Sequence, residues 1–297
     1  MRVLITGSSG LIGSALMPAL AAAGHDVVRL LRGTGGPSGN LHWDPAAGTI
    51  DDLSGIDAVI HLAGVGIGEK RWSEEQKRAI LESRTVGTRL VAEAMAAATP
   101  RPSVMVSSSA IAVYGNPGDA ELTEESPAAA DYLADVVVQW EAAARPAADA
   151  GIRVVYPRTG IVLSSRGGAL DRMLLPFKLG LGGRVGPGTQ WMSWISMADE
   201  IAALIHLLEG DLSGPVNLTA PNPATNLEFV KTLGSVLNRP TLLPTPLLPV
   251  KARFGAELVE SLLLYSQRIV GVKLLESGFE FQHLELRGAL EAAVAGD

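Results

Sequence analysis

Residues 1–32, MRVLITGSSGLIGSALMPALAAAGHDVVRLLR, decide how the rest of the chain is read. An apolar run, Val3-Leu4-Ile5, enters Thr6-Gly7-Ser8-Ser9-Gly10-Leu11-Ile12-Gly13, passes through an Ala/Leu-rich span over 14–23, turns at Gly24-His25-Asp26 and re-emerges as Val27-Val28-Arg29-Leu30-Leu31-Arg32. That order predicts strand, glycine turn, helix and strand, a βαβ unit beginning at the first residue. Gly7 permits the tight turn, Gly10 lets backbone approach a pyrophosphate, and Gly13 removes the side chain that would hold the helix off the sheet. The amides of Ser9, Gly10, Leu11, Ile12 and Gly13 then face a diphosphate at the positive end of the helix. A dinucleotide site is the expectation.

At the end of the second strand an acid would accept from a ribose 2′-hydroxyl. This chain carries Arg32 there, whose guanidinium suits a 2′-phosphate, so NADP(H) is expected in preference to NAD(H). The alternative for Arg32 is a solvated strand-end charge. The Gly-x-x-Gly-x-x-Gly spacing resembles that of the extended short-chain dehydrogenase/reductases, the group of nucleotide-sugar epimerases and dehydratases.

Composition narrows the rest. The 297 residues can bury an extensive core, and 47% hydrophobic content with a mean hydropathy of +0.25 suits a buried parallel sheet. With 24 basic against 31 acidic residues the net charge is −7, so neither nucleic acid nor membrane is expected as a partner. The chain has no cysteine, which removes disulfides, a thiol nucleophile and thiolate metal sites. Its five histidines lack ligand spacing, so no metal is expected. No apolar run approaches the ~20 residues of a membrane helix, and the early glycine turn interrupts any signal-peptide core. A cytoplasmic location is the expectation.

Downstream, residues 33–40 read as a flexible loop of turn formers. Leu41 to Asp44 predicts a short third strand. Asp57 to Gly64 predicts a clearer one, whose Leu62-Ala63-Gly64 end lies where open α/β sheets bind ligands. Ser73 is a candidate N-cap for a helix to Ala98, followed by a strand over 104–115, a helix over 131–150 and a strand over 151–163. This alternation predicts an α/β fold, a Rossmann-like doubly wound parallel sheet over 1–163. From Ser164 the composition changes, and 164–297 is expected to form a smaller mixed C-terminal substrate domain, with 190–220 returning to the first. The glycine-rich stretches around 166–168 and 179–188 read as mobile segments near a ligand. Arg166 and Arg184 within them are candidates to grip a substrate phosphate or carboxylate. A helix beginning in 191–199, a strand over 215–219 and helices near 226–237, 249–264 and 284–295 complete the reading.

The resemblance covers the whole chain. It is carried by Lys70-Arg71-Trp72, Ser83-Arg84, Asp131-Tyr132-Leu133-Ala134 with Gln139-Trp140-Glu141, Arg158 to Leu163, Gly188-Thr189-Gln190-Trp191 with Ser193-Trp194-Ile195, Leu218 to Pro221, and an ending over 266–281. Together these look like an atypical extended subfamily of epimerase-family proteins with a short characteristic C-terminal domain. It implies that Leu62, Ala63, Gly64, Arg84 and Thr159 border the cofactor, with Arg84 standing where relatives have an asparagine, and that Asp199 is a helix-start capping acid. In the extended reductases a strand-end serine or threonine polarises a carbonyl, and a Tyr-x-x-x-Lys helix supplies an acid/base whose pKa the ammonium lowers. The resemblance puts Ser109 first and Ser107 second as that hydroxyl, and Tyr132 as the tyrosine. Four residues after Tyr132 stands Val136, and no lysine occurs from Arg78 to Arg172. A tyrosine near its ordinary pKa of about 10 is a poor base at neutral pH, though it can donate a proton.

Two functions follow as expectations. One is an NADP(H)-dependent oxidoreductase or epimerase-like enzyme on a small polar substrate, with a homodimer as the candidate assembly. The other is a non-catalytic NADP(H)-binding or redox-sensing protein that acts through a partner; the missing lysine favours it, while the retained serine strand end and the glycine-rich segments favour the enzyme.

Overall fold

Val3, Leu4 and Ile5 are fully buried, because β1 (Arg2–Thr6) is covered on both faces. The computed structural model describes residues 1–33 and 38–296; residues 34–37 of the expected flexible loop lie outside the described residues. After β1 come α1 (Leu11–Ala22), β2 (Asp26–Arg32), β3 (Leu41–Asp44), β4 (Thr49–Ile50), β5 (Ala58–His61), α2 (Glu74–Ala97), β6 (Val104–Ser107), β7 (Ser109–Ala110) and a short 3-10 helix, Ile111–Tyr114. Then follow β8 (Glu121–Leu122), α3 (Tyr132–Ala143), α4 (Arg145–Asp149), β9 (Arg153–Thr159), β10 (Ile161–Leu163), α5 (Gly168–Lys178), β11 (Trp191–Met192), β12 (Trp194–Ser196), α6 (Met197–Glu209) and β13 (Gly214–Leu218). The chain ends through β14 (Ala224–Thr225), α7 (Asn226–Val236), α8 (Leu247–Phe254), α9 (Ala256–Val259), a π turn at Glu260–Leu264, β15 (Arg268–Ile269), α10 (Val272–Glu276) and α11 (Leu286–Ala295).

The main sheet runs β13-β9-β6-β5-β1-β2-β3-β4, parallel but for β4, with β7 added beside β9. Strand order reverses at β1, with β2 on one side and β5 on the other, so the switch point of a doubly wound sheet lies between β1 and β5. On one face Val3, Ile5, Ile60 and Val106 pack against Leu16 and Leu20 of α1 and Ile201 and Leu204 of α6. On the other, Leu4, Val59 and Met105 meet Trp43 of β3 and Val91 and Met95 of α2. A third cluster, with Leu163, Trp194, Phe229 and Leu290, joins β10 and β12 to α7 and α11. No helix of the described residues is long and apolar enough to cross a membrane.

Several elements are shorter than their sequence suggests, each for a local reason. The strand expected over 104–115 stops at Ser107, and Ser109–Ala110 steps sideways onto β9. The strand expected over 151–163 breaks at Gly160, where a Cβ would stand 2.7 Å from the Ser193 carbonyl oxygen; β10 leaves the main sheet there to pair with β12. The helix expected over 131–150 divides at Ala144, because Pro146 in the first turn of α4 has no N–H to continue α3. The 249–264 helix is three short pieces. The helix expected from Trp191 starts at Met197, since 191–192 and 194–196 are claimed by strand pairing. The glycines of 179–188 also serve packing rather than looseness. A Cβ on Gly183 would overlap the Leu243 carbonyl oxygen at 1.6 Å, and Thr245 N–H donates to Arg184 O across the same contact.

Candidate functional site

The glycine turn is shaped by contacts that no other residue would allow. Gly7 lies at φ +66°, and a Cβ on it would stand 2.8 Å from Leu62 backbone. A Cβ on Gly13 would stand 2.3 Å from Gly7 O, so α1 rests directly on the turn. α1 has no side-chain cap and no acid in its first turn, which leaves its leading amides and its positive end facing the carboxyl edge of the sheet. Ser9 and Gly10 are exposed, Leu11 and Ile12 half-buried. That cradle fits a diphosphate.

Beneath it, one row of polar side chains ties three strands together. Thr6 Oγ1 accepts from Leu62 N (3.0 Å) and Ala63 N (3.1 Å), so its own proton goes to His61 Nδ1 at 2.9 Å. His61 therefore carries its hydrogen on Nε2, which has no partner among the described residues. Burial, and secondarily the Arg32 charge, pushes its pKa down to about 4, so the ring is neutral. Its register neighbour Ser107 is fully buried, and its hydroxyl is likewise without a partner among the described residues.

Around the cradle the expected cofactor residues take distinct places. Arg32 is exposed at the end of β2. Gly64 is exposed beyond β5 with the Arg84 guanidinium against it, and Arg84 Nη1 donates to Val65 O (3.0 Å) and Ile80 O (3.1 Å) while its plane lies 4.9 Å over Trp140. Burial lowers the Arg84 pKa to about 10. Thr159, half-buried at the end of β9, donates to Glu200 Oε1 at 2.8 Å.

The three expected catalytic hydroxyls are not brought into mutual contact. Ser109 Oγ donates to Glu141 Oε1 at 2.6 Å, and Ser107 faces the buried row. Tyr132 donates its hydroxyl to the Lys77 carbonyl at 2.9 Å and packs edge-on against Trp72. Burial, opposed by the Arg84 charge, pushes the Tyr132 pKa up to about 12, so it is a phenol at neutral pH. Lys77 Nζ lies 5.0 Å from the Tyr132 ring centre, but its ammonium pairs with Glu257 at 2.7 Å. Of the expected substrate arginines, Arg166 donates to Gly296 O at 2.6 Å, and the exposed Arg184 donates to the Gly186 carbonyl. Asp199 does not cap α6: Ser196 does, accepting from Asp199 N at 3.0 Å. Glu200 is the residue that the sequence reading passed over. Its signal was its place at i+3 from Met197 in the buried stripe Met197, Ile201, Leu204, Leu208.

A model described as the NAD dependent epimerase/dehydratase family matches residues 3–218. The chain belongs to that family. A second model, a domain of unknown function (DUF1731), matches residues 245–293 of this family member. The chain is 45% identical to the epimerase family protein MT2273 of Mycobacterium tuberculosis, covering 97% of this chain and 96% of that protein. It is 39% identical to the human epimerase family protein SDR39U1, covering 99% and 100%. A crystal structure of human SDR39U1 with NADPH superposes with a TM-score of 0.92 at 38% identity, over 99% of both chains. A UDP-glucose 4-epimerase from Thermotoga maritima, at 17% identity and a TM-score of 0.77, shares the fold.

Proposed function

We propose that the protein binds NADP(H) and is an oxidoreductase or epimerase-like enzyme acting on a small polar substrate. The observation that carries the reading is the pairing of an uncapped α1 N-terminus on the glycine turn with Arg32, rather than an acid, at the exposed end of β2. The 38% identical SDR39U1 structure with NADPH supports it. Bound there, the coenzyme would supply the hydride chemistry, while Gly7 to Gly13 hold its diphosphate and Arg32 meets the 2′-phosphate. Titration calorimetry tests this: NADPH is expected to bind at least about tenfold more tightly than NADH, with the preference lost in Arg32→Ala. Equal affinities in the parent protein refute the preference.

The second reading, a non-catalytic NADP(H)-binding or redox-sensing protein, is favoured by one observation. The Tyr132 and Ser109 hydroxyls are both committed to protein acceptors. Stereospecifically deuterated NADPH incubated with a metabolite extract separates the two. Label loss that disappears in Ser109→Ala/Tyr132→Phe supports catalysis, and binding without label loss supports the second reading.

A further inference from the structure

The carboxyl end of β9 holds a pair that neither the sheet nor the glycine turn requires. Thr159 presents its hydroxyl to Glu200 Oε1, and Glu200, in the first turn of α6, is fully buried with Oε2 unpartnered among the described residues. A lone carboxyl on the apolar face of a helix is costly, and nothing in the packing repays it. Among the described residues, no charge of opposite sign faces it. α1, β6, β10 and β12, which pack around α6, carry no ionisable residue in their strand or helix spans. On β9, Arg158 is paired to Glu141 and Arg153 donates to the carbonyls of Leu207, Leu208 and Leu212. On α6 itself, Asp199 is held by Ser196 and by Gln282 and His283, while His206 bonds Ser277. His25 takes up Glu209.

In a doubly wound sheet a dinucleotide lies across the switch point, with one nucleotide over each half. Arg32 marks the half over β2. The other half falls over β5, β6 and β9, whose carboxyl ends carry Ser107 and Thr159. Resting on the NADP(H) reading, we infer that Glu200 is a positioning residue for the nicotinamide half of the coenzyme, acting through Thr159: its protonation state sets whether that hydroxyl meets the ligand as donor or as acceptor.

The logic is a count of hydrogens. When Glu200 is ionised, Thr159 must spend its single proton on Oε1, and its oxygen is left to the ligand as an acceptor only. When Glu200 carries a proton on Oε1, the bond reverses and the Thr159 hydroxyl is free to donate outward. Burial, partly offset by the Thr159 hydrogen bond, already raises the Glu200 pKa to about 8. An acceptor on the ring, such as the carboxamide oxygen, would be met by the outward Thr159 hydroxyl only while Glu200 keeps its proton, so the bound ring would favour the protonated form. Coenzyme binding and proton retention are therefore coupled.

The test compares NADPH with 2′-phospho-ADP-ribose, which lacks only the nicotinamide ring, by calorimetry over roughly pH 6 to 9.5, a range that brackets the titration. Above the titration, NADPH affinity of the parent protein is expected to fall by up to about tenfold per pH unit, as one linked proton requires, while the ring-less analogue shows no such slope. Glu200→Gln should hold the NADPH affinity level across the range. Thr159→Ser should keep the slope and Thr159→Val should lose it. Identical pH profiles for the two ligands in the parent protein overturn the inference and leave the NADP(H) reading standing. Failure of both ligands to bind at any pH overturns the NADP(H) reading and the inference with it.

Discussion

Ser109 Oγ donates to Glu141 Oε1 at 2.6 Å, and Glu141 stands nine residues along α3 from Tyr132, roughly 13 Å down the helix axis. The serine and the tyrosine that the family pattern would pair are thus held by opposite ends of one helix. Glu141 also receives Arg158 in a two-pronged contact, Nε at 2.9 Å and Nη2 at 3.0 Å, and Arg158 Nη1 reaches Tyr114, which donates to Asn217 at 2.8 Å. Glu141→Ala should cost about 3–5 kcal/mol, because it strands a largely buried guanidinium. Ser109→Ala removes one donor from a carboxylate that keeps two others, and should cost about 1 kcal/mol. Urea denaturation measures both. Equal losses would mean that Ser109, not the ion pair, anchors α3.

Gly13→Ala is expected to abolish nucleotide binding. The added Cβ would meet Gly7 O at 2.3 Å and Ser8 Cα at 2.9 Å, both backbone, so α1 must move off the turn that its amides serve. Overpacking of this kind costs typically about 1–3 kcal/mol, leaving a folded protein in which binding can be measured. A Gly13→Ala protein that folds and binds NADPH as the parent does would show that the cradle is not the diphosphate site.

What the sequence made legible was local. The glycine turn, α1 and the central strands declare themselves through spacing within about thirty residues, and Val3, Leu4 and Ile5 lie in the core as their pattern implies. The contacts that decide the chemistry are long-range. Sequence spacing correctly finds no lysine after Tyr132, yet the fold carries Lys77 over that ring from α2, 55 residues away, with its ammonium already committed to Glu257. Arg166 looks like a free cation in a glycine loop, but it donates to the Gly296 carbonyl, 130 residues on, which no sequence pattern places beside it. Glu200 was visible as an acid in an apolar stripe, and its partner Thr159, 41 residues earlier, was not.

Two buried groups should bound a plateau of stability in pH. His61 titrates near 6.5 when unfolded and near 4 in the native protein, so on acidification the unfolded chain takes up a proton that the native one refuses. Stability is lost as pH falls from 6.5 towards 4. Glu200 runs the other way, from 4.5 unfolded to about 8 folded: the native protein keeps a proton that the unfolded chain releases, and stability is lost as pH rises from 4.5 to 8. Each contributes a slope of at most about 1.4 kcal/mol per pH unit, and between 4.5 and 6.5 the two oppose. In Glu200→Gln melting temperature should level off from about pH 6.5 to 8, and in His61→Gln the alkaline fall should begin near pH 4.5 instead of 6.5. An unchanged alkaline limb in Glu200→Gln would remove that carboxyl from the account.

The last prediction concerns how the C-terminal helix is fastened. Asp199 is fully buried, and its carboxylate accepts from Gln282 N at 2.7 Å, His283 N at 3.1 Å and the Ser196 hydroxyl at 2.7 Å. It thereby clasps the segment leading into α11, whose Leu286 and Leu290 complete the cluster around Trp194 and Phe229. Asp199→Ala deletes both acceptor oxygens and with them three hydrogen bonds, orphaning two backbone donors, a loss of about 3 kcal/mol. Asp199→Asn keeps one acceptor oxygen and should lose less. Because the clasp holds one end of one helix, the loss should be uneven: hydrogen exchange is expected to quicken over 280–295 while β1, β5 and β6 stay protected. Uniform acceleration across the sheet would show that Asp199 supports the whole fold and not the C-terminal segment in particular.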